Sequence, residues 1–119
     1  MHESGEMYLE TIYVLCEKIP NVRSIDVAEY MGFSKPSVSR GVNLLKSDGY
    51  INVDEKGYLT LTDSGMDLAK KIYERHTLLT RALKKLGVDD KNAEADACKI
   101  EHIISDTTFN AIKKHISKI

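Results

Sequence analysis

Residues 24–62 constrain the fold of this chain more than any other stretch. Ser24 is placed as the N-cap of a short amphipathic helix over residues 25–31, with Ile25, Val27, Ala28 and Met31 apolar and a stop at Gly32. Ser34 starts a second helix, with Pro36 in its first turn, where a missing N–H costs nothing. Val38, Val42, Leu44 and Leu45 are its expected buried face, and Asp48-Gly49 ends it. The joint Gly32-Phe33-Ser34 gives the pair the length of a helix-turn-helix. Residues 50–53 and 58–62 then alternate apolar and polar around the turn Asp54-Glu55-Lys56-Gly57, which predicts a hairpin. A hairpin directly after the second helix of such a pair is a wing.

The flanks read as helical. Residues 5–18 carry Met7, Leu9, Ile12, Tyr13, Leu15 and Cys16 on an apolar side and are broken at Pro20-Asn21. Thr62 or Asp63 caps a long helix to about residue 86, with Met66, Leu68, Ile72, Leu78, Leu79 and Leu83 apolar and Gly87 as its stop. Two more helical blocks follow, over residues 91–104 and from about 107 to the end, the last bearing Phe109, Ile112 and Ile116. The expected fold class is mainly α: a winged helix-turn-helix DNA-binding domain over residues 1–63, then a helical dimerisation domain over residues 64–119. No apolar run reaches the length of a membrane span, and the first residues lack the basic and apolar regions of a signal peptide. The expected location is the cytoplasm, with no membrane partner. Cys16 and Cys98 are too few for a disulfide framework and are expected as thiols.

A formal net charge of −1 argues against strong nonspecific binding to nucleic acid, which calls for an excess of Lys and Arg. The charges are unevenly spread, however. Between residues 34 and 47 they are Lys35, Arg40 and Lys46, with no acid; the acids gather at Glu3, Glu6, Glu10 and Glu17, and again at Asp89, Asp90, Glu94 and Asp96. In a helix-turn-helix the N-terminal residues of the second helix approach the base edges. Here those are Ser34, Lys35, Pro36, Ser37, Ser39 and Arg40. Hydroxyls and helix-terminal N–H groups suit phosphate, Arg40 can read guanine or hold phosphate, and Pro36 offers an apolar surface to a thymine methyl. Lys56, at the wing tip, can reach the adjacent backbone. The plainer account is that the serines only cap a helix and Lys35 and Arg40 are solvated.

Cys98-Lys99-Ile100-Glu101-His102 places a thiol, a carboxylate and an imidazole at i, i+3 and i+4 of a helical block, on one face. Met7 and Glu10 are a second i, i+3 pair, a thioether and a carboxylate, and His76 is a further candidate. Sulfur, nitrogen and oxygen donors together suit a divalent transition metal better than Ca²⁺ or Mg²⁺. The plainer accounts are core packing for Met7, a solvated face for Glu10 and an inert buried thiol for Cys98. They leave a metal-independent winged-helix regulator as the alternative; a Cys98 redox sensor is another. A zinc hydrolase is not expected: the chain has no His-Glu-x-x-His pattern and no phosphate-cradling glycine loop, and no small-molecule substrate is implied.

Several stretches together resemble the diphtheria-toxin-repressor family of iron- and manganese-dependent repressors. They are residues 6–13 (Glu-Met-Tyr-Leu-Glu-Thr-Ile-Tyr), Pro36-Ser37-Val38-Ser39, residues 60–65 (Thr-Leu-Thr-Asp-Ser-Gly), Arg75-His76 and residues 98–102, in family order over nearly the whole chain. The resemblance implies a homodimer that binds a palindromic double-stranded DNA operator when a metal is bound. It also implies that the SH3-like third domain of longer members is missing. It puts Met7, Cys98, Glu101 and His102 on the primary site of the iron-responsive branch, whereas manganese regulators usually have aspartate and glutamate in place of Met7 and Cys98. Glu10 matches a ligand of the manganese branch and His76 one found in both, so a neighbouring site using these two is possible on this pattern. Thr80 replaces a carboxylate and Glu94 a histidine of the iron branch's secondary site. Sulfur donors favour Fe(II) over Mn(II), and Co(II), Ni(II) or Zn(II) would also enter such a site in vitro. One cation held by both domains would set the spacing of the two recognition helices in a dimer, which must match major grooves roughly 34 Å apart.

Overall fold

Each helix of the computed structural model, which describes residues 3–117, begins and ends where local chemistry dictates. The elements are α1 (Glu3–Lys18), α2 (Ser24–Met31), α3 (Lys35–Ser47), β1 (Ile51–Val53), β2 (Leu59–Leu61), α4 (Asp63–Lys85), α5 (Asp90–Ile100) and α6 (Asp106–Ile116). They fall into two compact units, Met1–Lys70 and Lys71–Ile119.

The first unit is a winged helix-turn-helix. Tyr8, Leu9, Ile12 and Leu15 of α1, Val27 and Ala28 of α2, Val38, Val42 and Leu45 of α3, Ile51 of β1 and Leu59 of β2 form its core. The N-cap of α2 is Arg23, one residue earlier than Ser24: the Arg23 N–H donates to the Asp26 carboxylate at 2.8 Å, closing the first turn from inside the helix. Gly32 ends α2 with φ 70°, a left-handed conformation that glycine adopts without steric cost, and its N–H reaches the Ala28 carbonyl. Ser34 caps α3, its Oγ accepting the Ser37 N–H at 3.3 Å. Leu44 does not join the buried face of α3 but is 64% exposed; it sits two residues from Val42, and an i, i+2 pair does not share a face. Cys16 likewise falls at the exposed end of α1, its thiol donating to the Leu59 carbonyl at 3.8 Å. Burial, then the neighbouring Glu17 charge, pushes that thiol's pKa up, away from reactivity.

The hairpin is short and antiparallel, with Ile51 opposite Leu61 and Val53 opposite Leu59. Its turn closes on Asp54, whose carboxylate accepts the N–H groups of Lys56 and Tyr58 at 2.9 and 2.8 Å. The Leu59 N–H donates to Val22 at 2.7 Å, so the segment between α1 and α2 extends the edge of the wing. Thr62, rather than Asp63, caps α4: its Oγ1 accepts the Gly65 N–H at 3.1 Å and donates to the Gly49 carbonyl at 2.7 Å.

In the second unit, Ile72 and Leu79 of α4, Ala93 and Ala97 of α5, and Phe109 and Ile116 of α6 are buried. Asp89 caps α5 by accepting the Asn92 N–H at 3.1 Å, and hydrogen bonds from Asn92 hold its carboxyl below the usual range. Ser105 caps α6 in the same way through the Thr108 N–H, at 3.2 Å. α5 ends at Ile100, short of residue 104: Glu101 keeps a helical N–H bond to Ala97, but Ile103 and Ile104 both turn back onto the Ile100 carbonyl. Residues 118–119 of the expected last helix lie outside the described residues. Among the described residues no helix is long and apolar enough to cross a membrane.

Candidate metal centre and nucleic-acid interface

Glu101 is the C-cap of α5, and its carboxylate has no solvent exposure at all. Burying an ionised carboxylate is costly without compensating partners. Two imidazoles face it, and His76 hydrogen-bonds to it. His76 of α4 places Nδ1 at 2.9 Å from one Glu101 oxygen, and His102 places Nε2 at 3.1 Å from the other. The His102 side chain is itself only 1% exposed. Cys98, half-buried in the last turn of α5, completes a cluster with Glu101 and His102 in which the three donor atoms lie within 4.8 Å of one another.

The helical face predicted for residues 98–102 therefore forms, although α5 stops before its end: Glu101 keeps αR geometry and carries the screw one residue further. Donors bound to one first-row ion at about 2.0–2.3 Å lie at most about 4.6 Å apart. The donor atoms of Cys98, Glu101 and His102 all fall within 4.8 Å of one another, close enough together for the set to suit a divalent transition ion.

The other sequence-derived candidates take definite places. Met7 and Glu10 are half-buried and lie on one face of α1, as their spacing requires. Glu94 brings a carboxylate oxygen to 3.9 Å from His76 Nε2, and Thr80 spends its hydroxyl on the His76 carbonyl at 2.7 Å.

On the first unit, Ser34, Lys35, Pro36, Ser39 and Arg40 are exposed at the start of α3 and Ser37 is half-buried; Lys56 is exposed in the hairpin turn. Ser37 is the node of this end. Its N–H goes to Ser34, its hydroxyl pairs with Ser34 Oγ at 2.9 Å and accepts from Arg40 Nη2 at 3.4 Å, and its carbonyl accepts the Tyr8 hydroxyl at 3.4 Å. Tyr8 is thus a residue that spacing alone did not single out. Its only sequence signal is Gly41, a glycine inside a helix, which marks a close approach: a Cβ there would stand 2.4 Å from the Tyr8 ring.

Comparison with known proteins agrees with this geometry. The family model described as the iron dependent repressor N-terminal DNA binding domain matches residues 1–59, and that described as the iron dependent repressor metal binding and dimerisation domain matches residues 62–119. An HTH-type transcriptional regulator of Methanocaldococcus jannaschii is 32% identical over 120 residues, covering 99% of this chain and 96% of that protein. The iron-dependent repressor IdeR of Mycobacterium bovis is 34% identical over 113 residues, covering 94% of this chain and 49% of that one. The solved structure of a manganese-dependent transcriptional repressor in complex with manganese superposes with a TM-score of 0.87 at 29% identity, covering 95% of this chain and 52% of the other. The chain spans about half the length of these last two relatives. With both of its domains matched in order, the chain belongs to the iron-dependent repressor family of metal-dependent, DNA-binding transcriptional regulators.

Proposed function

We propose that this protein is a cytoplasmic repressor that senses Fe(II), with Mn(II) as the alternative ion, and binds a palindromic DNA operator as a homodimer. The observation that carries the reading is the buried Glu101 carboxylate, set between two imidazoles with the Cys98 thiol beside it. Cys98, Glu101 and His102 would hold the ion, with Met7 as a fourth ligand and Glu10 and His76 as ligands of a neighbouring site. A bound divalent cation would neutralise the Glu101 carboxylate and favour the deprotonated form of the Cys98 thiol. The thiol and the Met7 thioether favour Fe(II). Met7 and Glu10 belong to the same helix as Tyr8, which holds the Ser37 carbonyl at the start of α3. Ligation through these residues therefore links metal occupancy to the DNA-reading end, and by reciprocity DNA should tighten metal binding by the same factor.

At that end, Ser34, Lys35, Ser37 and Ser39 would meet phosphates, Pro36 a thymine methyl, Arg40 a base edge, and Lys56 the backbone beside the wing. Arg40→Ala is expected to lower operator affinity by about 1–3 kcal/mol if Arg40 reads guanine, with metal affinity in the absence of DNA unchanged. Competition with single-base operator variants separates this from a phosphate contact, which would weaken all sequences alike and reduce the salt slope by about 1. Undiminished DNA binding in the variant removes Arg40 from the reader.

The direct test is anaerobic binding to DNA from upstream of the protein's own gene, first with chelator, then with Fe(II) or Mn(II) titrated in. Strong stimulation by one ion is the expected result. Binding that ignores metal would leave a metal-independent winged-helix regulator.

A further inference from the structure

Arg75 has no part in the ligand set, yet its side chain is only 12% exposed. Burying a guanidinium is costly unless its donors find acceptors. Here both Nη groups find them at or just beyond the end of α5, while Nε is buried without a hydrogen-bond partner among the described residues. Nη1 donates to the Ile104 carbonyl at 2.9 Å and, more weakly, to the Glu101 carbonyl at 3.4 Å. Nη2 pairs with the carboxylate of Asp106, the first residue of α6, and the guanidinium carbon stands 5.3 Å from the centre of the Phe109 ring.

Glu101 is the C-cap of α5 and Ile104 lies four residues past its end, and Arg75 supplies a donor to both carbonyls from α4. The next residue along α4, His76, holds the Glu101 carboxylate. Adjacent residues of one helix thus grip Glu101 at its backbone and at its side chain. The Glu101 carbonyl belongs to the peptide that leads into His102, so its direction bears on where both side chains point.

We propose that Arg75 is a positioning residue of the metal centre: it fixes the Glu101–His102 turn through its backbone carbonyls, so that both side chains face Cys98. The proposal rests on the metal reading given above. Groups that orient metal ligands from behind typically matter by roughly 10–100-fold in affinity. Lys71, the other partner of Asp106 at 3.4 Å, touches neither carbonyl and provides a control.

The experiment is an anaerobic titration of the metal-free full chain with Co(II), reading affinity by chelator competition and the thiolate-to-cobalt absorption that reports Cys98 ligation. Arg75→Gln is expected to weaken Co(II) binding about tenfold or more and to diminish or shift that absorption. Arg75→Lys should recover part of both, and Lys71→Gln should match the wild type. Arg75→Gln with wild-type affinity and spectrum overturns the proposal. If Arg75→Gln loses its helical circular dichroism, Arg75→Lys decides: it keeps the charge but lacks the planar fork that serves two carbonyls and a carboxylate together. A wild-type affinity and spectrum in Arg75→Lys would then overturn the proposal. Absence of the thiolate absorption in the wild-type protein overturns the metal reading itself, and is told apart because it needs no variant.

Discussion

Glu101→Gln is expected to abolish metal-stimulated operator binding while leaving the folded dimer intact. The substitution conserves shape at a fully buried position, so it opens no cavity. What it removes is the negative charge that His76 and His102 both face, at 2.9 and 3.1 Å. Without a bound ion, that carboxylate has the hydrogen bond with His76 and the nearby His102 ring, and a neutral amide of the same size can occupy its place. With an ion, the same charge is a ligand, and its loss should exceed the roughly 10–100-fold typical of groups that only orient ligands. The two states respond differently, and thermal unfolding reads the difference. A ligand at a hundred times its Kd adds about 2.7 kcal/mol to the stability of the state it binds. The wild type should therefore melt several degrees higher with Fe(II) or Mn(II) than with chelator. Glu101→Gln should melt near the wild-type chelated value under both conditions and should elute as a dimer. His102→Ala should lose metal stimulation too, but less cleanly, because removing an imidazole that is 1% exposed also leaves a cavity. Full metal stimulation in Glu101→Gln would remove the carboxylate from the ligand set.

The features legible in the sequence are those set by local chemistry. Ser34 with Pro36 behind it, the Asp54 turn and the left-handed Gly32 each determine a boundary within a few residues, and each appears where its residue type requires. The i, i+3, i+4 spacing of Cys98, Glu101 and His102 was equally readable, because a helical screw is all that is needed to bring them together. What could not be read is where two local signals compete, or where the partner lies far along the chain. Leu44 is apolar beside core residues, but its two-residue offset from Val42 turns it away from the buried face of α3. The shift of the α2 cap to Arg23 follows from Asp26 taking the Arg23 N–H, in competition with a serine equally suited to the role. The early end of α5 involves Arg75, which collects carbonyls near its C-terminus from α4, and nothing in residues 91–104 announces that. Tyr8 escaped for the same reason: its hydroxyl serves Ser37 on another helix.

Gly65→Ala is expected to destabilise the first unit by about 2 kcal/mol or more, against the usual direction for such a change within a helix. By propensity alone, alanine in α4 should gain up to about 1 kcal/mol over glycine. Space opposes it. A Cβ on Gly65 would stand 1.9 Å from the Tyr50 carbonyl oxygen and 2.9 Å from its carbon, and both are backbone. Tyr50 cannot readily withdraw: its N–H donates to Leu45 at 3.0 Å, its carbonyl accepts the Thr62 N–H at 3.1 Å, and it leads directly into Ile51, buried in β1. Overpacking a rigid site costs about 1–3 kcal/mol and occasionally more, so the clash outweighs the propensity gain. Gly41→Ala offers the contrast, since the atoms in its way belong to the Tyr8 ring, a side chain rather than backbone. That variant should lose less stability but more operator affinity, because a displaced Tyr8 releases the Ser37 carbonyl at the reading end of α3. Urea unfolding with an unchanged m-value gives the stability order, and operator titration at saturating metal gives the affinity order. If the two glycines rank the same way in both measurements, backbone in the way at Tyr50 and a side chain in the way at Tyr8 are not what distinguishes them. The approach of α4 to the base of the wing would then be a looser joint than the 1.9 Å from an added Gly65 Cβ to the Tyr50 oxygen implies.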